Sequence, residues 1–134
     1  MNKVFMGGTC NGSLWRDRLV PLLLIESFNP VVEDWTEECM QQEIDERADS
    51  DFCLYTITPK MTGVFSIAEV VDDSNKRPEK TIMVILEQDE DAEFSEAQLK
   101  SLSQVARMVQ ANGGRAFRSL EDAAKHMNSR TYSA

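Results

Sequence analysis

The run Phe52-Cys53-Leu54-Tyr55-Thr56-Ile57 constrains this chain more than any other stretch. It is short, nearly continuously apolar and rich in strand formers, so it predicts a buried strand. Thr58-Pro59-Lys60-Met61-Thr62-Gly63 follows, and Pro59 and Gly63 both break regular structure. Beyond Gly63, the residues Val64, Ile67, Ala68 and Val71 stand at i, i+3, i+4 and i+7, which is helical spacing. A buried strand, a tight crossover and a helix therefore follow one another. In open α/β sheets the crevice outside the carboxyl ends of the strands receives ligands. Glu69 stands near the start of this helix, on the face opposite Val64, Ile67 and Val71, and shares its side with Ser66. Ser66-x-x-Glu69 also fits a capping box, in which both side chains serve the helix start and nothing else.

The same alternation of strand, loop and helix continues in both directions. Lys3-Val4-Phe5-Met6 predicts a first strand, running into a loop of small residues from Gly7 to Ser13. Leu14, Leu19, Leu22, Leu23 and Ile25 suggest a helix that Pro21 kinks or ends. A glycine-rich turn between strand and helix turns backbone N–H groups toward an anion, although this one is neither a dinucleotide fingerprint nor a Walker loop. Phe28 to Val32 reads as a short second strand, and Thr36 as the N-cap of an acidic helix from Glu37 to Ala48. The apolar side of that helix is thin, carried by Met40 and Ile44. Thr81 to Leu86 is the clearest strand, and the acidic run Glu87 to Glu93 reads as a solvated loop. Ser95-x-x-Gln98 opens a helix with the stripe Leu99, Leu102, Ala106 and Val109, closed by Asn112-Gly113-Gly114. Arg115 to Arg118 is the last strand, and Ser119 caps a helix to about Asn128.

The expected fold is α/β, a flavodoxin/Rossmann-like three-layer sandwich. Its five-stranded parallel sheet has order 2-1-3-4-5 and helices on both faces. In that order the loops after strands one and three flank one switch point. The 134 residues suit one domain, 1–134. Acidic residues number 23 against 14 basic ones, a formal charge of −9, which argues against a nucleic-acid polymer as partner. Cys10, Cys39 and Cys53 lack metal-ligand spacing, and no metal constellation is expected anywhere in the chain. Cys39 and Cys53 read as buried thiols, and His126, the single histidine, as a surface residue. No signal peptide or membrane span is apparent, so a soluble, cytoplasmic protein without membrane contact is expected.

Three segments taken in order carry a resemblance. They are Lys3-Val4-Phe5-Met6-Gly7-Gly8-Thr9-Cys10, Asn29-Pro30-x-Val32-Glu33-Asp34-Trp35 and Thr58-Pro59-x-x-Thr62-Gly63-x-x-Ser66-Ile67-Ala68-Glu69. Together they resemble the nucleoside 2-deoxyribosyltransferase-like family over roughly the first 86 residues. The resemblance implies cleavage of the N-glycosidic bond of 2'-deoxynucleosides or their monophosphates, through a covalent glycosyl-glutamate, with transfer to another base or to water. It implies no cofactor. Glu69 matches the nucleophile, and a second family carboxylate falls near Glu43. Gly8, Thr9, Trp15, Arg16, Asp34, Trp35 and Ser66 fall in the segments that would bind substrate, and Tyr132 near the chain end would complete a neighbouring subunit's site. Trp15 also reads as a buried anchor of the first helix, and Arg16, which could pair with a 5'-phosphate, reads first as a solvated surface charge. The family's acid in the loop before the nucleophile has no counterpart, because no acidic residue lies between Tyr55 and Ala68. That gap favours the alternative, a non-catalytic nucleotide-binding or sensing module with the same fold. Leftover apolar surface on the first two helices, together with the resemblance, predicts a homodimer or larger homo-oligomer.

Overall fold

A computed structural model describes residues 2–10, 12–32, 34 and 36–130. Trp35 and Tyr132, both expected at the site, lie outside the described residues. Strand and helix alternate along the chain: β1 (Lys3–Gly8), α1 (Trp15–Leu19), β2 (Glu26–Phe28), α2 (Glu37–Asp49), β3 (Phe52–Ile57) and α3 (Phe65–Lys76). Then come β4 (Thr81–Ile85), a small hairpin of β5 (Gln88–Asp89) and β6 (Ala92–Glu93), α4 (Glu96–Ala111), β7 (Arg115–Phe117) and α5 (Leu120–Arg130).

All pairings in the main sheet are parallel, in the order β2-β1-β3-β4-β7. Among the strands of this sheet alone that is the expected 2-1-3-4-5, with the hairpin inserted ahead of the last strand. Both faces are covered, and the central strands β1, β3 and β4 are buried almost throughout, while the edge strands β2 and β7 stay partly exposed. Side chains alternate between two cores. Val4, Met6, Leu54, Ile82 and Val84 meet Trp15, Leu19 and the α5 residues Leu120, Ala123, Ala124 and Met127. Phe5, Tyr55, Ile57, Met83 and Ile85 meet Val70 of α3 and Leu102, Ala106 and Val109 of α4. The result is a Rossmann-like three-layer α/β sandwich. Among the described residues, no helix is long and apolar enough to cross a membrane.

Several local expectations hold for the expected reasons. Pro21 ends α1 by starting a short 3-10 turn, Val20–Leu22. The Thr36 hydroxyl accepts from the Cys39 N–H to start α2. Both halves of the Ser95/Gln98 capping box form, and Ser119 accepts from the Asp122 N–H at the start of α5. Gly113, at φ +106°, turns the chain out of α4.

Others do not hold. The second strand lies at Glu26–Phe28 rather than Phe28 to Val32, because Pro30 has no N–H to continue the ladder. Ser66 does not cap α3. The N-cap is Val64, without a side-chain bond, and Ser66 is already within the first turn. The stripe of Val64, Ile67, Ala68 and Val71 is not the buried face: Val64 and Ala68 are exposed, while Glu69, Val70, Asp73 and Ser74 are buried. The helix turns a partly polar face to the sheet because β3 and α2 supply partners for those groups. The acidic run from Glu87 holds the hairpin β5–β6 rather than an open loop, and Asp89 in it is buried. Cys53 is buried, its thiol pushed up to about 12 by burial. Cys39 is only half-buried, because α2 buries no residue fully. His126 is half-buried, packed on the rings of Phe52 and Phe117 at 6.1 and 5.6 Å.

Candidate functional site

Parallel topology brings the carboxyl ends of β1 and β3 side by side, and the loops leaving them diverge to opposite faces. Gly8 makes the close approach possible. Its φ of +118° is left-handed, and a Cβ there would sit 2.2 Å from the Thr56 carbonyl oxygen. Next to it the Thr9 N–H donates to the Thr56 carbonyl at 2.9 Å, and the Thr58 N–H donates to the Thr9 hydroxyl at 3.0 Å. The two loops are thus stitched together at their roots. Above them opens a crevice of about 690 Å3, in the range of small-molecule sites. Its floor is Gly7 to Cys10 and its walls come from Pro30 to Val32, from α2 and from Met61 to Glu69.

Glu69 is only 7 % exposed and lines this crevice, and its Oε2 has no hydrogen-bond partner. The nearest cation, Arg47 Nη1, stands 3.7 Å from that oxygen. Burial is the first cause lifting the carboxyl to about 8; a hydrogen bond with Glu43 and the repulsion between the two carboxyls add to it, and Arg47 opposes. Near neutral pH Glu69 is therefore held largely in its protonated form. Glu43, on α2, lines the same crevice. The sequence names both carboxyls, and the fold brings them together.

Arg47, which the sequence reading missed, holds this corner. It sits on the inward side of α2 near its C-terminus and binds Asp73 through Nη2 at 2.9 Å, as well as Asp72 at 3.3 Å. Asp73 is fully buried and fully served: the Tyr55 hydroxyl donates to it at 2.5 Å, and Arg77 Nη1 at 2.5 Å. Burial and the neighbouring Asp73 raise the Tyr55 hydroxyl well above its ordinary range, so it stays a donor.

Of the other expected residues, Gly8, Thr9, Arg16 and Ser66 line the crevice. Arg16 is neither solvated nor surface. It is 8 % exposed, with Nε on the Met6 carbonyl at 3.0 Å, Nη1 on the Thr9 carbonyl at 2.9 Å and Nη2 on the Gly8 carbonyl at 3.5 Å. These bonds occupy three of the five N–H groups of a guanidinium, and no carboxylate is among its described partners. Burial lowers it to about 10, so it remains a cation at neutral pH. Trp15 does not line the crevice. It is fully buried, its indole N–H donating to the Thr9 carbonyl at 2.7 Å and its ring carrying the Arg16 guanidinium at 4.4 Å. Asp34 is exposed and outside the crevice lining. Instead Val31, Val32, Met40, Ile44, Met61 and Phe65 give an apolar wall, with Phe65 71 % exposed. The one sequence signal for that wall was the thin Met40–Ile44 side of α2.

No family model, curated protein or solved structure matches this chain. Among the described residues, no group of acids, cysteines and histidines is arranged to hold a metal.

Proposed function

We propose that the chain is a nucleoside 2-deoxyribosyltransferase-like enzyme that breaks the N-glycosidic bond of 2'-deoxynucleosides or their 5'-monophosphates. One observation carries the reading: Glu69, a buried carboxyl with an unpartnered oxygen, meets a second carboxyl, Glu43, in a crevice of nucleoside size. Two carboxyls beside a glycosidic bond are the working parts of glycosidic cleavage, one as acid and base and the other, in the retaining form, as nucleophile.

Glu69 passes its proton to Glu43, and the carboxylate so formed attacks the anomeric carbon. The bond from that carbon to the base nitrogen breaks, its electron pair goes to the base, and Glu43 protonates the leaving base. A glycosyl ester on Glu69 remains. Water or another base then attacks the same carbon, Glu43 takes the proton released, and Glu69 leaves as a carboxylate. Arg47, 3.7 Å from Oε2, steadies the ionised form that attacks. Glu43 thereby supplies the acid that the loop between Tyr55 and Ala68 lacks. Arg16, a buried cation without a carboxylate among its described partners, suits a 5'-phosphate. The apolar wall from Val31 to Phe65 suits the flat face of a base, and its exposed side chains suit a second subunit closing the mouth as a homodimer. Light scattering checks that part, a monomer of about 15 kDa at micromolar concentration counting against it.

The test is release of free base from a panel of deoxynucleosides and monophosphates, run beside thermal shift. Wild-type protein is expected to release base and Glu69→Ala, still folded, to release none. Turnover that survives Glu69→Ala defeats the assignment. Stabilisation by the panel without any turnover in the wild type instead identifies a binding or sensing module.

A further inference from the structure

Behind the crevice lies a second buried carboxylate that the catalytic reading does not use. After β4 the Leu86 N–H donates to the Ile57 carbonyl at 3.0 Å, carrying the chain past the end of β3 before it folds into the hairpin β5–β6. Phe94, 9 % exposed, anchors the hairpin in the core under α3 and α4. The turn places Glu90 at φ +56° and points Asp89 inward, 1 % exposed. Asp89 Oδ2 accepts from the Ser13 hydroxyl at 2.5 Å and from the Thr58 hydroxyl at 2.7 Å, and Oδ1 from Arg18 Nη2 at 3.4 Å. Ser13 belongs to the loop after β1, and Thr58 to the loop after β3. The two loops are the floor and a wall of the crevice, yet Ser13, Thr58 and Asp89 do not themselves line it. Thr58 continues the chain of bonds through its N–H to Thr9, which does. Lys60 repeats the pattern from outside, bound to the Gly12 carbonyl and paired with Glu90 of the same hairpin.

We propose that Asp89 is a positioning residue: through Ser13 and Thr58 it holds the loops after β1 and β3 at one fixed separation, and so sets the width of the crevice in which Glu69 works. An ionised carboxylate suits this task because it accepts from both hydroxyls and donates to neither. Burial opposes its charge, but the bonds from Ser13 and Thr58 and the cations Arg18 and Lys60 outweigh that cost and keep it below its ordinary pKa. Its consequence for turnover rests on the proposed glycosidic chemistry; the hold on the loops does not.

Hydrogen–deuterium exchange on the full chain separates the two. In Asp89→Asn, exchange is expected to rise at least tenfold in residues 8–13 and 58–63 together, with β4 and α4 unchanged. In base release the same variant is expected to lose about a hundredfold in kcat, as displaced reacting groups do, with KM changed less than threefold. Ser13→Ala and Thr58→Val each cut one arm, and each is expected to loosen both segments, which also serves if Asp89→Asn does not fold. Loosening confined to the segment mutated, a uniform rise across the molecule, or unchanged exchange overturns the proposal. An equal rise in KM with kcat intact overturns it as well. A wild type without turnover refutes the catalytic reading, and the exchange pattern still decides on Asp89.

Discussion

Asp73 and Glu69 are one turn apart on the buried face of α3, and both lie within reach of Arg47. Their surroundings differ. Asp73 takes bonds from Tyr55, Arg47 and Arg77 and is left with nothing unmet. Glu69 has an oxygen without a donor, a rival carboxyl instead of a second cation, and a crevice beside it. The first arrangement meets its acid with three donating side chains. The second keeps a charge costly until something in the crevice uses it. One helix thus carries an acid met on every side and an acid left short of donors, and what separates them is the count of donors each receives.

The largest way to break this comparison is to remove the structural acid. Asp73→Ala leaves Arg47 and Arg77 facing a buried gap, and is expected to cost about 3–5 kcal/mol in urea unfolding. Glu69→Gln, read the same way at pH 8, is expected to be neutral or stabilising. Comparable losses at the two sites would dissolve the distinction. Next is Tyr55→Phe, which takes one donor from Asp73 while keeping the ring; about 2 kcal/mol is expected to be lost.

The pH dependence sharpens the contrast further. The folded-state pKa of Glu69, about 8, lies above the ordinary 4.5. Between those values the folded protein binds the proton more tightly than the unfolded chain, so stability from this group falls as pH rises and levels off above about 8. Melting temperatures of Glu69→Gln across pH 5 to 9 are expected to lack that decline. Base release in the wild type is expected to fall along an alkaline limb near the same value, where Glu69 loses the proton that the leaving base needs. The smallest effect belongs to the third acid on this helix, Asp72, half-exposed and paired with Lys76 and Arg47. Asp72→Ala is expected to cost less than about 1 kcal/mol, in line with solvent-screened pairs.

How much of this was legible depends on the kind of information each feature needs. The sheet was legible because apolar runs such as Phe52–Ile57 and Thr81–Ile85 announce themselves by composition and spacing alone. Glu69 and Glu43 were legible as residues, through the resemblance, and their meeting followed from topology. The buried face of α3 was not, because Asp73 and Ser74 are polar and look solvent-facing until Tyr55, Arg47 and Arg77 converge on them. Arg16 was misjudged for the same reason: its partners are backbone carbonyls, which no pattern of side chains reveals. Asp89 was hidden in a run of acids that reads as a solvated loop, since only the tertiary fold delivers Ser13 and Thr58 to it. Polar groups satisfied across long sequence separation leave no local signature.

The central claim is that the Glu69 carboxylate, whose Oε2 lacks a hydrogen-bond donor, forms a bond to the sugar. Mass spectrometry of wild-type protein quenched in acid during turnover of a 2'-deoxynucleoside or its monophosphate tests it most directly. The account predicts a mass gain of one deoxyribosyl group from the nucleoside, or of one deoxyribosyl 5'-phosphate from the monophosphate, located by peptide mapping to the segment containing Glu69 and absent from Glu69→Gln. Free base released at full rate with no adduct at any time point, or an adduct on another residue, would contradict it.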